Sequence, residues 1–125
     1  MEILSSRVLL RPLDPVRSLA FYRDTLRFPV AREFPGGTVF FLGSGFLELS
    51  GRAAAAAGEA VALWLQVRDL PATHRELTDR GVTVLREPRR EPWGLDEMWI
   101  ADPDGTRIVV VEVPPEHPLR RDTRL

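Results

Sequence analysis

The chain has no cysteine and no lysine; all 17 of its basic residues are arginine. The absence of cysteine excludes disulfide scaffolds, zinc–thiolate centres, iron–sulfur clusters and cysteine nucleophiles, and it is compatible with a reducing compartment. We attribute the absence of lysine to a biased base composition of the source genome, and we draw no conclusion about function from it. We expect a cytoplasmic protein.

The chain also lacks a long apolar run and an excess of charge. No stretch approaches the roughly 20 apolar residues of a membrane helix, and the N-terminus lacks the basic start and apolar stretch of a signal peptide. The formal net charge is −1, so the basic field typical of nucleic-acid binders is missing. We expect a soluble, unprocessed protein that binds neither nucleic acid nor membrane.

An internal repeat is the clearest positive feature. The apolar segment that ends at Asp14 has a second copy ending at Asp69, which gives a period of about 55 residues, long enough for one supersecondary unit per copy. Each Asp can cap the helix that follows, and a proline stands at or near each helix start. The pattern predicts helices over residues 16–26 and 72–81, the second ending at Gly81.

Three short extended segments follow each predicted helix, divided by turn residues. They cover residues 30–34, 38–42 and 46–50 in the first half, and 82–87, 97–101 and 107–113 in the second. The order strand, helix and three strands therefore occurs twice. It predicts one α+β domain over residues 1–125, with module one at 5–50, an Ala-rich linker at 51–60, module two at 61–113 and a polar tail at 114–125.

Three motifs carry a resemblance to a known family. The segment from Asp14 to Tyr22, the tripeptide Pro92-Trp93-Gly94 and the turn Asp102-Pro103-Asp104-Gly105 resemble the vicinal oxygen chelate superfamily. This superfamily includes glyoxalase I, bleomycin-resistance proteins and extradiol dioxygenases. The resemblance implies two tandem βαβββ modules that form a curved mixed sheet around a ligand cleft, usually in a homodimer.

The resemblance also implies where a metal would bind. Metal-dependent members use four ligands, usually His, Glu, His and Glu, and alignment places these positions at Arg7, Glu48, Ala62 and Val109. Only Glu48 could coordinate a cation, and a divalent site generally needs three or more convergent donors. We therefore expect no metal and no other cofactor.

Other residues do not restore the ligand set. His74 lies on the apolar stripe of the second helix, where a structural role is expected, and His117 lies in the tail. Glu112 is three residues beyond Val109, so strand alternation places it on the opposite face.

Strand alternation predicts which side chains line the cleft. The expected ligand-binding residues from this alternation are Arg7, Leu9, Arg11, Phe46, Glu48, Trp64, Gln66 and Val109, and the resemblance adds Trp93 and Trp99, which lie in the loop and the strand where similar proteins contact a ligand. Together they describe an aromatic pocket with a few orienting charges, which suits a small molecule. Two alternatives stay open: Trp64 and Phe46 could fill the core, and Arg7 and Glu48 could form a structural ion pair.

The leading hypothesis is a metal-independent protein that binds and sequesters a small aromatic or cationic molecule, as bleomycin-resistance proteins do. The first alternative is an enzyme: a glyoxalase- or dioxygenase-type metalloenzyme, or a metal-free isomerase in which Glu48 is the general base if burial raises its pKa. The second alternative is a regulatory domain that binds another protein through its tail.

Overall fold

The computed structural model describes residues 1–121. Contacts divide the chain into two compact units: unit one is Met1–Gly58 with Pro103–Gly105, and unit two is Glu59–Asp102 with the chain from Thr106 onward. Each unit contains one four-stranded mixed sheet. The predicted α+β class with two tandem modules is confirmed.

Unit one has four strands and one helix that continues into a π-helical turn. The strands are β1 Arg7–Leu10, β2 Val30–Phe34, β3 Gly37–Leu42 and β4 Gly45–Ser50. They lie in the order β1-β4-β3-β2, with β1 parallel to β4 and the other pairs antiparallel. This order is what a strand, a crossover helix and a three-stranded meander produce when the first and last strands pair.

The first strand is shorter than the sequence predicts. The prediction extended it to Asp14, but β1 ends at Leu10. Pro12 has no N–H to donate to a neighbouring strand, so it terminates regular pairing. Arg11 therefore lies outside β1 and is exposed, and strand alternation does not place it on the face of Arg7 and Leu9.

Helix α1, Pro15–Ala20, begins one residue earlier than predicted and ends sooner. The Asp14 carboxylate accepts a hydrogen bond from the backbone N–H of Arg17 at 3.3 Å, and this caps the helix. The predicted α-helix up to residue 26 is wrong, because the chain continues as a π-helical turn over Phe21–Thr25. This wider turn carries Tyr22, whose side chain is fully buried.

An aromatic cluster forms the core of unit one on the helix side of the sheet. The ring of Tyr22 lies 5.7 Å from Phe28 and 6.3 Å from Phe40, centroid to centroid. Phe40 and Leu47 are fully buried and point away from the face that carries Glu48, since successive strand residues alternate. The opposite face of the sheet, which carries Glu48, therefore does not pack against the helix.

Unit two repeats the arrangement. Its strands are β5 Ala62–Gln66, β6 Thr83–Arg90, β7 Asp96–Ala101 and β8 Arg107–Glu112, and its helices are α2 Leu70–Asp79 and the short α3 Pro118–Arg121. The strand order is β5-β8-β7-β6, with β5 parallel to β8. The predicted sixth strand ended at residue 87, whereas β6 continues to Arg90 past Pro88, at a register shift between Arg86 and Arg89. Proline is tolerated in a strand at such irregularities.

Helix α2 has two side-chain hydrogen bonds at its N-terminus and a glycine after its C-terminus. The Asp69 carboxylate accepts a hydrogen bond from the N–H of Ala72 at 2.9 Å, and Glu112 accepts one from the N–H of Leu70 at 2.7 Å. Gly81 follows the helix with φ of +74°, a conformation that glycine adopts without strain. Glu112 thus faces the helix, on the side of the sheet opposite Val109, as alternation predicts.

The tail begins inside unit two. Val113 and Pro114 are buried, and the N–H of His117 donates to the carbonyl of Pro114 at 3.0 Å. The expected surface arm therefore starts after a packed segment, and its residues 122–125 lie outside the described part of the chain. Within residues 1–121, no helix combines the length and apolar character needed to cross a membrane.

Candidate functional site

The exposed face of the first sheet carries an ion pair between Arg7 and Glu48. Residue Glu48 pairs in register with Leu9, and Arg7 Nη1 donates to Glu48 Oε1 at 2.8 Å. The hydroxyl of Ser50 donates to Glu48 Oε2 at 2.7 Å. Both carboxylate oxygens therefore accept hydrogen bonds. The structure contains the ion pair between Arg7 and Glu48 that the sequence analysis gave as an alternative.

These contacts decide what Glu48 can do chemically. The Ser50 hydroxyl, followed by the Arg7 guanidinium, lowers the pKa of Glu48 below its ordinary value. A carboxylate with a lowered pKa is a weaker base. The isomerase hypothesis required burial to raise this pKa, and the structure shows a shift in the opposite direction.

Leu9 and Phe46 form an apolar edge on the same face, together with Phe41. The Phe46 ring packs 5.6 Å from that of Phe41, and Phe41 pairs with Phe46 across the strands. Leu9 is 61% exposed and Phe41 48% exposed. Sequence reasoning placed Leu9 and Phe46 here and did not identify Phe41.

The corresponding face of the second sheet carries a row that runs across three strands. Trp64 on β5 pairs with Val109 on β8, which pairs with Trp99 on β7. The next row contains Gln66 and the buried Glu97. Four residues predicted from the sequence, Trp64, Gln66, Trp99 and Val109, therefore lie on one face of unit two. Glu97 lies on the same face.

Two arginines flank the indole of Trp99. The Cζ atom of Arg86, on β6, lies 4.3 Å from the ring centroid, and that of Arg107, on β8, lies 4.6 Å away. Both distances lie within the range of cation–π attraction. Arg86 also forms a 3.0 Å ion pair with Glu91, whose side chain is 1% exposed.

Trp93 is fixed at its indole and at its backbone. Its Nε1 donates to Glu97 Oε2 at 2.7 Å, and its carbonyl oxygen lies 3.2 Å from His117 Nε2. Because the N–H of Leu119 donates to His117 Nδ1, the other ring nitrogen carries the hydrogen and donates to Trp93. The indole remains 55% exposed, so Trp93 is both anchored and accessible.

Sequence reasoning missed the charged residues that surround Trp99. Arg107 could have been found by counting two residues back from Val109 along the same face. Arg86 and Glu91 could not, because their position depends on register shifts in β6. Glu97 was seen only as the start of a strand.

The four positions that the resemblance aligns with metal ligands carry one carboxylate, that of Glu48. Arg7 neutralises Glu48, and Ala62 and Val109 have no side-chain donor. His74 is engaged by Glu87 at 2.7 Å. Within residues 1–121, no cluster of three His, Cys, Asp or Glu side chains could hold a metal ion.

Unit one also contains a pocket of about 630 Å³. It lies between the start of α1 and the turn that joins β2 to β3, and its wall includes Val16, Leu19, Phe34, Leu49 and Arg52. Its volume suits a small molecule. None of the ten residues predicted from the sequence lines it, so it is a rival location for a ligand.

A family model matches residues 5–110, and its description is the glyoxalase/bleomycin resistance protein/dioxygenase superfamily. Among curated proteins, none has a significantly similar sequence.

Solved structures show the same fold at low identity. A glyoxalase/bleomycin resistance protein/dioxygenase from Nocardioides has 17% identity and a TM-score of 0.77, covering 94% of this chain and 89% of its own. A superfamily member from Sphaerobacter thermophilus has 23% identity and a TM-score of 0.72, covering 89% and 98%. A lactoylglutathione lyase from Agrobacterium tumefaciens has 23% identity and a TM-score of 0.67, covering 85% and 90%. At these identities the likeness concerns the fold alone.

Proposed function

The chain belongs to the glyoxalase/bleomycin resistance protein/dioxygenase superfamily, and we propose that it is a metal-independent member that binds and sequesters a small planar aromatic molecule. One observation carries the proposal. The positions that would hold a metal carry an ion-paired carboxylate and two residues without donor atoms, while the equivalent sheet face of unit two keeps exposed tryptophans.

The loss of metal binding follows from ligand count and charge. Glu48 is the one donor among Arg7, Glu48, Ala62 and Val109, and a guanidinium lies 2.8 Å from it. A divalent ion at Glu48 would meet one carboxylate and a positive charge, whereas such ions need several convergent oxygen or nitrogen donors.

The exposed indoles favour an aromatic ligand. Trp64 is 49% exposed and Trp93 is 55% exposed, and burying such rings against a planar ligand contributes both apolar area and stacking. Trp93 is held by Glu97 and His117, so less conformational entropy is lost when it contacts a ligand.

A cationic ligand is disfavoured at Trp99. The ring already has Arg86 and Arg107 within 4.6 Å of its centroid, and a third cation would be repelled by both. Of the two ligand classes considered from the sequence, aromatic and cationic, the contacts around Trp99 support the aromatic one. An antibiotic-like natural product remains one source of such a ligand.

The enzyme alternatives have less support. A lowered pKa makes Glu48 a weaker general base. A glyoxalase- or dioxygenase-type metal centre would need a cluster of metal ligands, and residues 1–121 contain no group of three His, Cys, Asp or Glu side chains that could hold a metal ion. Retained turnover in Glu48→Gln would exclude the base, once a substrate is identified. The tail-mediated interaction hypothesis is weakened because His117 already contacts Trp93.

Calorimetric titration of the purified protein with 2-naphthalenemethanol tests the proposal. We expect saturable binding that is weakened about tenfold in Trp64→Ala, since loss of an aromatic contact costs on the order of 1 kcal/mol or more. Leu4→Ala, at an 86% exposed residue, is the matched control and should leave affinity unchanged. Absence of binding would reject the proposal, and a loss confined to Val16→Ala would move the site to the unit-one pocket.

The homodimer implied by the family resemblance and the cytoplasmic location are part of the same proposal. Sedimentation equilibrium of the purified protein would measure the mass of the assembly against the 14.1 kDa of one chain. A monomer at micromolar concentration would contradict the dimer without affecting ligand binding within unit two.

A further inference from the structure

One nitrogen of the Arg107 guanidinium has no acceptor among the described residues. Its Nε atom is buried and has no hydrogen-bond partner within residues 1–121. The Cζ atom of Arg107 lies 4.6 Å from the centroid of the Trp99 ring. A buried donor left unpaired costs about 1 to 3 kcal/mol, so a native site usually supplies a partner for it.

The other charges on this face neutralise one another. Arg86 and Arg89 both form ion pairs with Glu91, at 3.0 and 3.2 Å. Glu97 is 4% exposed and accepts hydrogen bonds from two indoles, Trp93 at 2.7 Å and Trp99 at 3.4 Å. Three guanidiniums therefore share the face with two carboxylates, and Arg107 is the guanidinium without a carboxylate within ion-pair distance among the described residues.

The strand positions on either side of Arg107 carry small side chains. Its strand neighbours are Ala62 on β5 and Ala101 on β7, so both positions directly opposite it carry only a methyl group. Residues directly opposite in a sheet have Cβ atoms about 5 Å apart, and any larger side chain at either position would crowd the guanidinium.

The exposed indole of Trp64 lies one row away on the same face. Trp64 pairs with Val109, two residues beyond Arg107 on β8, and such diagonal neighbours are separated by roughly 7 to 8 Å. This spacing matches the length of a fused aromatic ring with a carboxylate attached to it.

We propose that Arg107 is an anion-binding residue and that the ligand of this face is a planar aromatic carboxylate. The ring packs on Trp64 while the carboxylate accepts hydrogen bonds from the Arg107 guanidinium. This inference rests on the proposed binding function and names the chemical class of its ligand. A carboxylate suits the planar guanidinium because two parallel N–H donors can meet its two oxygens.

A matched pair of probes tests the class. The protein is titrated calorimetrically with 2-naphthoate and with 2-naphthalenemethanol, which share the ring and differ in the charged group. We expect 2-naphthoate to bind at least about tenfold more tightly, since a hydrogen bond to a charged group contributes about 1.5 to 3 kcal/mol. Raising the NaCl concentration from about 0.05 to 0.5 M should reduce this preference, because salt screens the ionic contact.

Two substitutions assign the preference to Arg107. Arg107→Met and Arg107→Lys both keep a long side chain that can cover Trp99, but only the lysine keeps the charge. The preference for 2-naphthoate should disappear in Arg107→Met and persist in part in Arg107→Lys, and the exposed Arg75→Gln should leave it unchanged. Circular dichroism verifies folding, and the salt titration of the unmodified protein keeps the test decisive if Arg107→Met does not fold.

The outcomes separate the two proposals. Equal affinity for both probes would overturn the role of Arg107 and leave aromatic binding intact. An unchanged preference in a folded Arg107→Met protein would likewise overturn it. Failure of both probes to bind would reject the binding function and this inference together.

Discussion

The indole of Trp93 donates its N–H to the carboxylate of Glu97 over 2.7 Å, and that carboxylate is buried. Trp99 donates to the other oxygen at 3.4 Å. One acidic side chain thus fixes the orientation of two aromatic rings, one of them more than half exposed. The buried Glu97 carboxylate therefore orients the indoles of Trp93 and Trp99 on this face of unit two.

Replacing Glu97 with glutamine should destabilise unit two. The amide has one oxygen to accept an indole hydrogen, and its NH₂ group then faces the second indole donor, so one partly buried N–H loses its partner. We expect a loss of about 1 to 3 kcal/mol in the free energy of unfolding, measured by urea denaturation. Glu59→Gln, at an exposed position, is the control, and equal stability of the two variants would contradict the prediction.

The hydrogen bond from Ser50 to Glu48, together with the ion pair between Glu48 and Arg7, should make stability depend on pH in the acid range. Because the folded protein lowers the pKa of Glu48 from its ordinary value of 4.5, the unfolded state binds the proton more readily. The stabilisation is fully present above pH 4.5 and is lost as the pH falls through the lower folded-state value.

Urea unfolding between pH 7 and pH 3 measures this effect. Glu48→Gln should show a smaller loss of stability than the unmodified protein below about pH 4.5, whereas Glu2→Gln, at an exposed position, should follow the unmodified curve. Parallel curves for the unmodified protein and Glu48→Gln would show that the carboxylate is not stabilised in the fold.

The two ends of helix α2 provide a matched pair of substitutions. Asp69 caps its N-terminus through a 2.9 Å hydrogen bond to the N–H of Ala72, so Asp69→Ala should cost about 1 kcal/mol. Asp79 is the last residue of the same helix, where a negative charge opposes the helix dipole, so Asp79→Ala should be neutral or slightly stabilising. Thermal unfolding of both variants would test whether Asp69→Ala lowers the melting temperature while Asp79→Ala leaves it unchanged or raises it.

The sequence predicts the order of strands and helices along the chain, but not the charged residues that surround Trp99. The repeated pattern ending at Asp14 and Asp69 predicts both helix caps, because a side-chain cap is a local interaction. The register of β6 is not local: its shifts on either side of Arg86 bring that residue to Trp99. The same reasoning explains the error at Arg11, where Pro12 ended a strand that the apolar pattern alone would have continued.

The contact between His117 and the carbonyl of Trp93 should restrain the loop before β7. His117→Ala removes this hydrogen bond, so amide hydrogen exchange at residues 91–95 should accelerate. The change in global stability should stay near about 1 kcal/mol, since the two hydrogen bonds that the imidazole loses, to the Trp93 carbonyl and from the Leu119 N–H, are both exposed. His74→Ala removes the other histidine, which pairs with Glu87, and it should leave exchange in this loop unchanged.

Metal content provides the most direct test of the donor count. The protein is incubated separately with nickel, zinc, manganese and ferrous iron, desalted, and measured by elemental analysis. We expect less than about one-tenth equivalent in each case, because one ion-paired carboxylate does not make a divalent site. Treatment with EDTA should then leave the affinity for 2-naphthalenemethanol unchanged. The expectation would be contradicted if the protein bound nearly one equivalent of metal and Glu48→Ala abolished this binding. That result would show that Arg7 releases the Glu48 carboxylate to a cation, and glyoxalase and dioxygenase assays would then follow.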